Sequence, residues 1–138
     1  VASNTEVADI LRDYRDYTMI CAGVFDDMVA TLVLENKEAI LERNRQIVEE
    51  NLALMDAWIA KEPKASWVRP ASVSTSFVKL DVNRPIEDFA LELLQDYGVL
   101  VVPGNRFDKE SHVRIGYCCD KEVLQKGLEK LSQFLNKC

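Results

Sequence analysis

A chain of 138 residues is long enough for one domain with a core of its own, and 48% hydrophobic with 29% charged residues is a globular composition. The net charge of −6 argues against nucleic acid or an anionic membrane as a partner. No apolar run approaches the ~20 residues of a bilayer span, and no signal peptide opens the chain. The four cysteines, Cys21, Cys118, Cys119 and Cys138, lack metal-ligand spacing and are interpreted as free thiols in a reducing cytoplasm.

The first half of the chain is predicted to be helical. Asn4 or Thr5 can cap a helix that runs to about Tyr17, and a second helix is expected over residues 25–34. The longest helix is predicted over residues 37–61, where apolar residues recur every seven positions. These residues are Ile40, Leu41, Ile47, Val48, Leu54 and Met55, followed by Trp58 and Ile59. Such a stripe predicts packing against a core and no chemistry.

The second half is predicted to combine strands with two helices. Two strand segments are expected within residues 67–80, interrupted near 70–76, where proline and small polar residues favour a turn. Pro85 suits the start of a helix over 86–96, with Gly98 as its left-handed terminator. The run that follows, Val-Leu-Val-Val, is apolar on both faces and predicts a central strand that is covered on both sides.

The stretch from residue 112 to 118 alternates in the two-residue period of a strand. Arg114 and Gly116 share one face of it. An unpaired guanidinium is costly to bury, and glycine leaves room in front of it, so Arg114 is a candidate bidentate donor to a carboxylate or phosphate. An internal salt bridge to a nearby acid is the alternative. His112, the only histidine, is assigned to a polar loop just before the strand, with a surface role rather than proton transfer.

The last element is predicted to be a helix capped by Asp120. The residues expected to face the core from this helix are Val123, Leu124, Leu128, Leu131 and Leu135. The fold class is therefore α+β, with a small antiparallel or mixed sheet of about three or four strands packed against helices and a long N-terminal helix. A single domain is expected over residues 1–138.

The order of these motifs resembles the C-terminal, small domain of class I/II aminotransferases, which are pyridoxal-phosphate enzymes of fold type I. The sharpest parts of the resemblance are residues 98–104 and 113–116, and it covers essentially all 138 residues. Residues 69–80 are similar to the family's segment rich in proline and glycine that runs into a strand, although Ser72, Ser74 and Ser76 stand where many relatives have glycine.

The resemblance implies a role for Arg114, because the arginine of this late strand clamps the substrate α-carboxylate in the family. It also implies amino-group transfer between an amino acid and a 2-oxo acid, and a homodimer for the full-length protein. The family's cofactor bonds to a lysine in a loop rich in serine and glycine, and none of the nine lysines here has that setting. No residue is therefore assigned to catalysis, to the cofactor or to a metal. The chain is expected to be a fragment that binds no pyridoxal phosphate and is inactive alone.

Residues 1–35 are predicted to link this domain to a missing large domain that carries the cofactor. Three alternatives stay open at this point. The full protein could be a pyridoxal-phosphate lyase of the same fold, such as a carbon–sulfur lyase. The chain could also be an amino-acid-sensing domain of a DNA-binding regulator, or a free-standing α+β binding module.

Overall fold

The structure is a computed structural model that describes residues 4–19, 21–71 and 73–138. The helices are α1 (Thr5–Thr18), α2 (Val24–Glu35), α3 (Lys37–Lys61), α4 (Ile86–Tyr97) and α5 (Lys121–Leu135). The strands are β1 (Ala65–Trp67), β2 (Thr75–Leu80), β3 (Val102–Pro103) and β4 (His112–Gly116), with a 3₁₀ helix over Gly104–Phe107. The chain forms two compact units, one ending at Leu41 and one running from Glu42 to Cys138. No described helix is long and apolar enough to cross a membrane.

The first unit contains α1 and α2, close to the predicted positions. The side chain of Asn4 caps α1 by accepting hydrogen bonds from the backbone N–H groups of Glu6 and Val7, which confirms one of the two predicted caps. Neither helix has a buried residue among those that the structure describes. The large apolar side chains that are exposed on these two helices include Val7, Ile10, Leu11, Tyr14, Val24, Phe25, Met28, Val29, Leu32, Val33 and Leu34. Residues 1–3 and Ile20, in the segments expected to begin the chain and to connect α1 to α2, lie outside the described residues.

The second unit is built on a four-stranded antiparallel sheet in the order β1-β2-β4-β3, which confirms the α+β fold class. In β2 and β4 the side chains alternate between a buried and an exposed face. The buried face joins one core cluster with apolar residues of α3, α4 and α5. The fully buried members of that cluster are Met55, Val78, Phe89, Leu93, Val113, Tyr117 and Leu135.

Buried polar side chains fasten the C-terminal half of α3 to this unit. The amide of Asn51 donates to the backbone carbonyls of Tyr117 at 2.7 Å and Cys119 at 2.8 Å, just after β4. The indole N–H of Trp58 donates to the Ser132 hydroxyl at 2.8 Å, and that hydroxyl donates to the carboxylate of Glu62 at 2.7 Å. Since unpaired buried polar groups are destabilising, these bonds set the position of α3 against β4 and α5.

The residues predicted to end α4 and to cap α5 have these roles in the structure. Gly98 has a φ of 66°, and its N–H bonds to the carbonyl of Leu94, so it ends α4 in the left-handed conformation as predicted. Asp120 caps α5 by accepting from the N–H of Glu122, also as predicted. The expected interruption before β2 is present, although Ser72 itself lies outside the described residues.

Three predictions about burial were wrong. At the start of the stripe predicted on α3, Leu41 is 59% exposed. The apolar run after Gly98 does not form a central strand: β3 covers only Val102–Pro103 and lies at an edge of the sheet, and Leu100 is 76% exposed. Val123 does not face the core but is 61% exposed, whereas Phe134 is buried from the same helix. An apolar residue tends to be buried, but its residue type does not show whether the surface that buries it belongs to these 138 residues.

Gly104 occupies a position that no larger residue fits. It is buried, and a Cβ atom added there would collide with the backbone carbonyl oxygens of Lys109 and His112. Gly104→Ala should therefore lower the free energy of unfolding by about 1–3 kcal/mol, the usual cost of overpacking. Gly127→Ala is the control, because a Cβ at that position in α5 meets nothing within 4 Å and alanine favours a helix. Urea denaturation of both variants checks the prediction, and equal midpoints would contradict it.

Candidate functional site

Arg114 projects from the exposed face of β4 into an open cavity. The cavity has a volume of about 260 Å³ and is lined by Thr75, Ser76, Phe77, Phe107 and Arg114. Arg114 is placed there by register, because it pairs with Phe77 of β2 on one side and with Val102 of β3 on the other. Its neighbours along the strand, Val113 and Ile115, are buried on the opposite face. The core thus dictates which way Arg114 points.

The guanidinium of Arg114 makes no ion pair or hydrogen bond with any residue that the structure describes. Its Cζ atom lies 5.3 Å from the ring centroid of Phe107, a cation–π contact that uses none of the five N–H donors. A Cβ at Gly116 would meet nothing within 4 Å, so the space expected beside this glycine is open. The internal salt bridge considered as an alternative is therefore absent from the described part of the chain. The role of Arg114 in binding an anion stays a prediction.

Phe107, which contacts Arg114, belongs to a cluster of three aromatic side chains. The rings of Phe77 and Phe107 meet edge to face, with centroids 5.8 Å apart and an interplanar angle of 84°. The ring of His112 stacks on Phe77 at 4.9 Å and 18°. The site is therefore a cationic donor set among aromatic surfaces, which suits an anion attached to an apolar body.

The predicted placement of His112 was wrong. It is the first residue of β4, pairs with Lys79 of β2 and is half-buried, so it is not a loop residue. Burial lowers the pKa of His112 below its usual 6.5, and the positive charges of Lys109 and Lys79 lower that pKa further. The neutral imidazole is consequently the favoured form near neutral pH.

The segment that precedes β2 is held by the residues that follow β4. The backbone N–H of Tyr117 donates to the carbonyl of Ser74 at 3.0 Å, and its buried phenol donates to the carbonyl of Val73. Burial raises the pKa of Tyr117, which keeps the phenol as a donor. Ser76 is buried and its hydroxyl donates to the carbonyl of Ile115 at 3.3 Å. Ser76 is therefore part of the sheet.

The sequence indicated Arg114 and Gly116 but missed Phe77 and Phe107. Phe77 could have been found, because it alternates with the buried Val78 in β2 and so lies on the exposed face. Phe107 belongs to the 3₁₀ helix, and no periodic pattern places it over Arg114. It is brought there only by the path of the chain between β3 and β4.

The described residues do not fit a covalently attached pyridoxal phosphate. A lysine that bonds to a carbonyl carbon is usually activated by desolvation or a neighbouring cation, and no lysine in the described part of the chain is buried. Six of the nine contact a carboxylate, a backbone carbonyl or a ring, namely Lys37, Lys64, Lys121, Lys126, Lys130 and Lys137. The other three, Lys61, Lys79 and Lys109, are exposed. No lysine of this part is therefore assigned to the cofactor.

The cysteines stand apart from this site. All four are free thiols, and burial raises the pKa of Cys119 above its ordinary value, which disfavours its reactive thiolate. Within residues 4–19, 21–71 and 73–138, no cluster of three or more His, Cys, Asp or Glu side chains is arranged to hold a metal ion.

Comparison with known proteins gave a consistent set of relatives. The family model for aminotransferase class I and II matches residues 1–131. A capreomycidine synthase of Streptomyces vinaceus is 28% identical over 130 residues, which cover 94% of this chain and 33% of that protein. A probable N-acetyl-LL-diaminopimelate aminotransferase of Bacillus subtilis is 26% identical, with 96% of this chain and 34% of that protein covered.

Solved structures also match. A PLP-dependent aminotransferase from Streptococcus suis is 65% identical, with a TM-score of 0.90 over 99% of this chain and 36% of that one. An aspartate aminotransferase from Thermotoga maritima is 25% identical, with a TM-score of 0.79 over 95% of this chain and 33% of that one. The chain spans about a third of the length of these relatives.

The stability of the chain should depend on the titration of His112. Because its pKa is lowered in the folded state, the unfolded state binds a proton more readily between that pKa and 6.5. The contribution of the neutral His112 ring to the free energy of unfolding is thus fully present above pH 6.5. It is lost as the pH falls from 6.5 through the pKa that His112 has in the folded state. His112→Phe keeps a ring against Phe77 and should flatten this dependence. Denaturation of the 138-residue chain between about pH 7.5 and 5.5 measures it, and parallel curves for both proteins would refute the assignment.

Proposed function

Because this chain belongs to the class I and II aminotransferase family, we propose that Arg114 binds the α-carboxylate of an amino acid or 2-oxo acid within a pyridoxal-phosphate-dependent aminotransferase. The observation that carries the proposal is that the Arg114 guanidinium lines an open cavity and has no ion pair or hydrogen bond with a described residue. The free N–H donors of an exposed arginine beside aromatic rings are available to the carboxylate of a ligand.

The planar guanidinium suits this task better than an ammonium would. It offers two parallel N–H groups to the two oxygens of a carboxylate, which fixes the orientation of the carboxylate as well as its position. A substrate gripped in this way presents its Cα–H bond and amino group in one direction. Phe77 and Phe107 offer apolar surface beside the guanidinium to the remainder of the substrate.

The remaining machinery is assigned to residues outside this chain. We place pyridoxal phosphate and its lysine in a large domain of the full protein, since no described lysine is buried. The 138-residue chain is then the small domain, unable to transfer an amino group alone. Its relatives are about three times as long, which leaves room for such a domain.

Residues 1–35 are proposed to join this domain to the large one. The support is the apolar surface of α1 and α2, on which many large side chains are exposed. In the full-length homodimer such a surface would be covered by the large domain or by the second subunit. The free thiols agree with a reducing cytoplasm as the site of action.

A second candidate function is another pyridoxal-phosphate reaction of the same fold, such as that of a lyase. One of the relatives is named a capreomycidine synthase, so similarity to this chain is not restricted to proteins named as aminotransferases. A pyridoxal-phosphate lyase would use the same carboxylate clamp, because the clamp orients the substrate whichever bond is broken. The amino-acid-sensing regulator would need the clamp but no catalytic lysine. The coding sequence upstream of Val1 distinguishes an enzyme from a regulator. A domain with a lysine in the family's setting supports an enzyme, and a winged-helix segment supports a regulator.

Replacing the clamp should weaken substrate binding in the full-length enzyme. Arg114→Gln removes the charge and the paired donors, so KM for both the amino donor and the 2-oxo acid should rise about 10- to 100-fold, the range of a lost charge-assisted hydrogen bond. Arg45→Gln is the matched control, because Arg45 is an exposed arginine of α3 that pairs only with neighbours on its own helix. Steady-state kinetics with both substrates measures the effect. An Arg114→Gln enzyme with unaltered KM values would remove the basis of the proposal.

The isolated chain should not capture the cofactor at a defined lysine. On mixing with pyridoxal phosphate, the 138-residue chain is expected to give no stoichiometric visible absorption band, because its lysines are solvated or already in contact with other groups. Titration followed by absorbance spectroscopy, with the full-length protein as the positive control, tests this. A one-to-one band that disappears when a single lysine is replaced would show that the assignment to a missing domain is wrong.

A further inference from the structure

Something other than hydrogen bonds must set the position of the Arg114 side chain. Its guanidinium has no hydrogen bond or ion pair within the described residues, and an unrestrained arginine would sample many rotamers. Ordering such a side chain when a substrate binds costs affinity. The ring of Phe107, 5.3 Å from Cζ, is the aromatic group in contact with the guanidinium.

Phe107 is the last residue of the 3₁₀ helix, and contacts of that helix restrict the position of its backbone. The carboxylate of Glu87 on α4 accepts hydrogen bonds from Asn105 and Arg106, the two residues before Phe107. The N–H of Lys109 bonds to the carbonyl of Gly104 at 3.0 Å and closes the turn around Phe107. The backbone that carries this ring is thus fastened to α4 on one side and to itself on the other.

The side chain of Phe107 also packs against a neighbouring aromatic ring. The rings of Phe107 and Phe77 meet edge to face, and His112 stacks on Phe77. Phe77 and His112 belong to two adjacent, paired strands, so the backing surface has the rigidity of the sheet. The Phe107 ring is therefore supported by Phe77 on one side, while the residue is 45% exposed.

We propose that Phe107 is a positioning residue, whose anchored ring holds the guanidinium of Arg114 in the cavity so that a substrate carboxylate meets a preorganised donor. This inference rests on the proposed function of Arg114 and adds a second residue to it. The contact is electrostatic, because the face of an aromatic ring carries negative charge and attracts the cation. It leaves all five N–H groups of the guanidinium available to the substrate.

The test uses the full-length enzyme and compares three replacements of Phe107. Phe107→Leu keeps an apolar side chain but removes the ring, and should raise KM roughly two- to fivefold, the range for an exposed cation–π contact, with little change in kcat. Phe107→Met serves the same purpose with a flexible side chain that fills the vacated space. Phe107→Tyr keeps the ring and should restore most of the lost affinity.

A double-mutant cycle with Arg114→Gln separates positioning from a general structural effect. If Phe107 acts through the guanidinium, Phe107→Leu should raise KM in the enzyme that retains Arg114 but not in the enzyme that already carries Arg114→Gln. An equal rise in both backgrounds would overturn the inference, as would a Phe107→Leu enzyme with the original KM. In both outcomes the proposed function survives if Arg114→Gln alone weakens binding. If Arg114→Gln alone has no effect, the proposed function fails, and the role of Phe107 fails with it.

Discussion

The antiparallel pairing of β2 with β4 is the constraint on which the candidate site depends. It sets Phe77 opposite Arg114 and Val78 opposite Val113, so one pairing produces both a core face and an open face. The core face is buried with α3, α4 and α5, and its burial is the main stabilising contribution from these strands. The charged residue is exposed as a consequence of its neighbours' burial.

The surroundings of β4 are reinforced at both ends. At its start, the buried Gly104 brings the chain close to the carbonyls of Lys109 and His112. Just beyond its end, Asn51 binds two backbone carbonyls, and Tyr117 binds the segment before β2. A strand of five residues would be a poor platform alone, but these contacts make it part of a rigid body. Precise orientation of a carboxylate requires such support.

Local features of the fold could be predicted from the sequence, and features that depend on distant partners could not. Gly98 and Asp120 act within one turn of a helix, so their roles follow from their residue types and spacing. The alternation around Arg114 likewise needs only its neighbours. In contrast, Leu100 and Val123 are apolar yet exposed, because their sequence pattern carries no information on which surface covers them. Phe107 reaches the site through the tertiary path of the chain, which neither the strand period nor the helix period encodes. His112, in contrast, lies two residues before Arg114 on the same face of β4, as the strand period predicts.

The strict alternation of β4 also restricts how this protein can change during evolution. Substitutions on the open face leave the core intact, so the chemistry around Arg114 can diversify one residue at a time. A one-residue insertion between Val113 and Arg114, with the preceding residues kept in register, would instead turn the guanidinium toward the apolar interior and Ile115 toward solvent. Changes of length are therefore costly within the strand, because each residue added or removed there exchanges the core face for the open face.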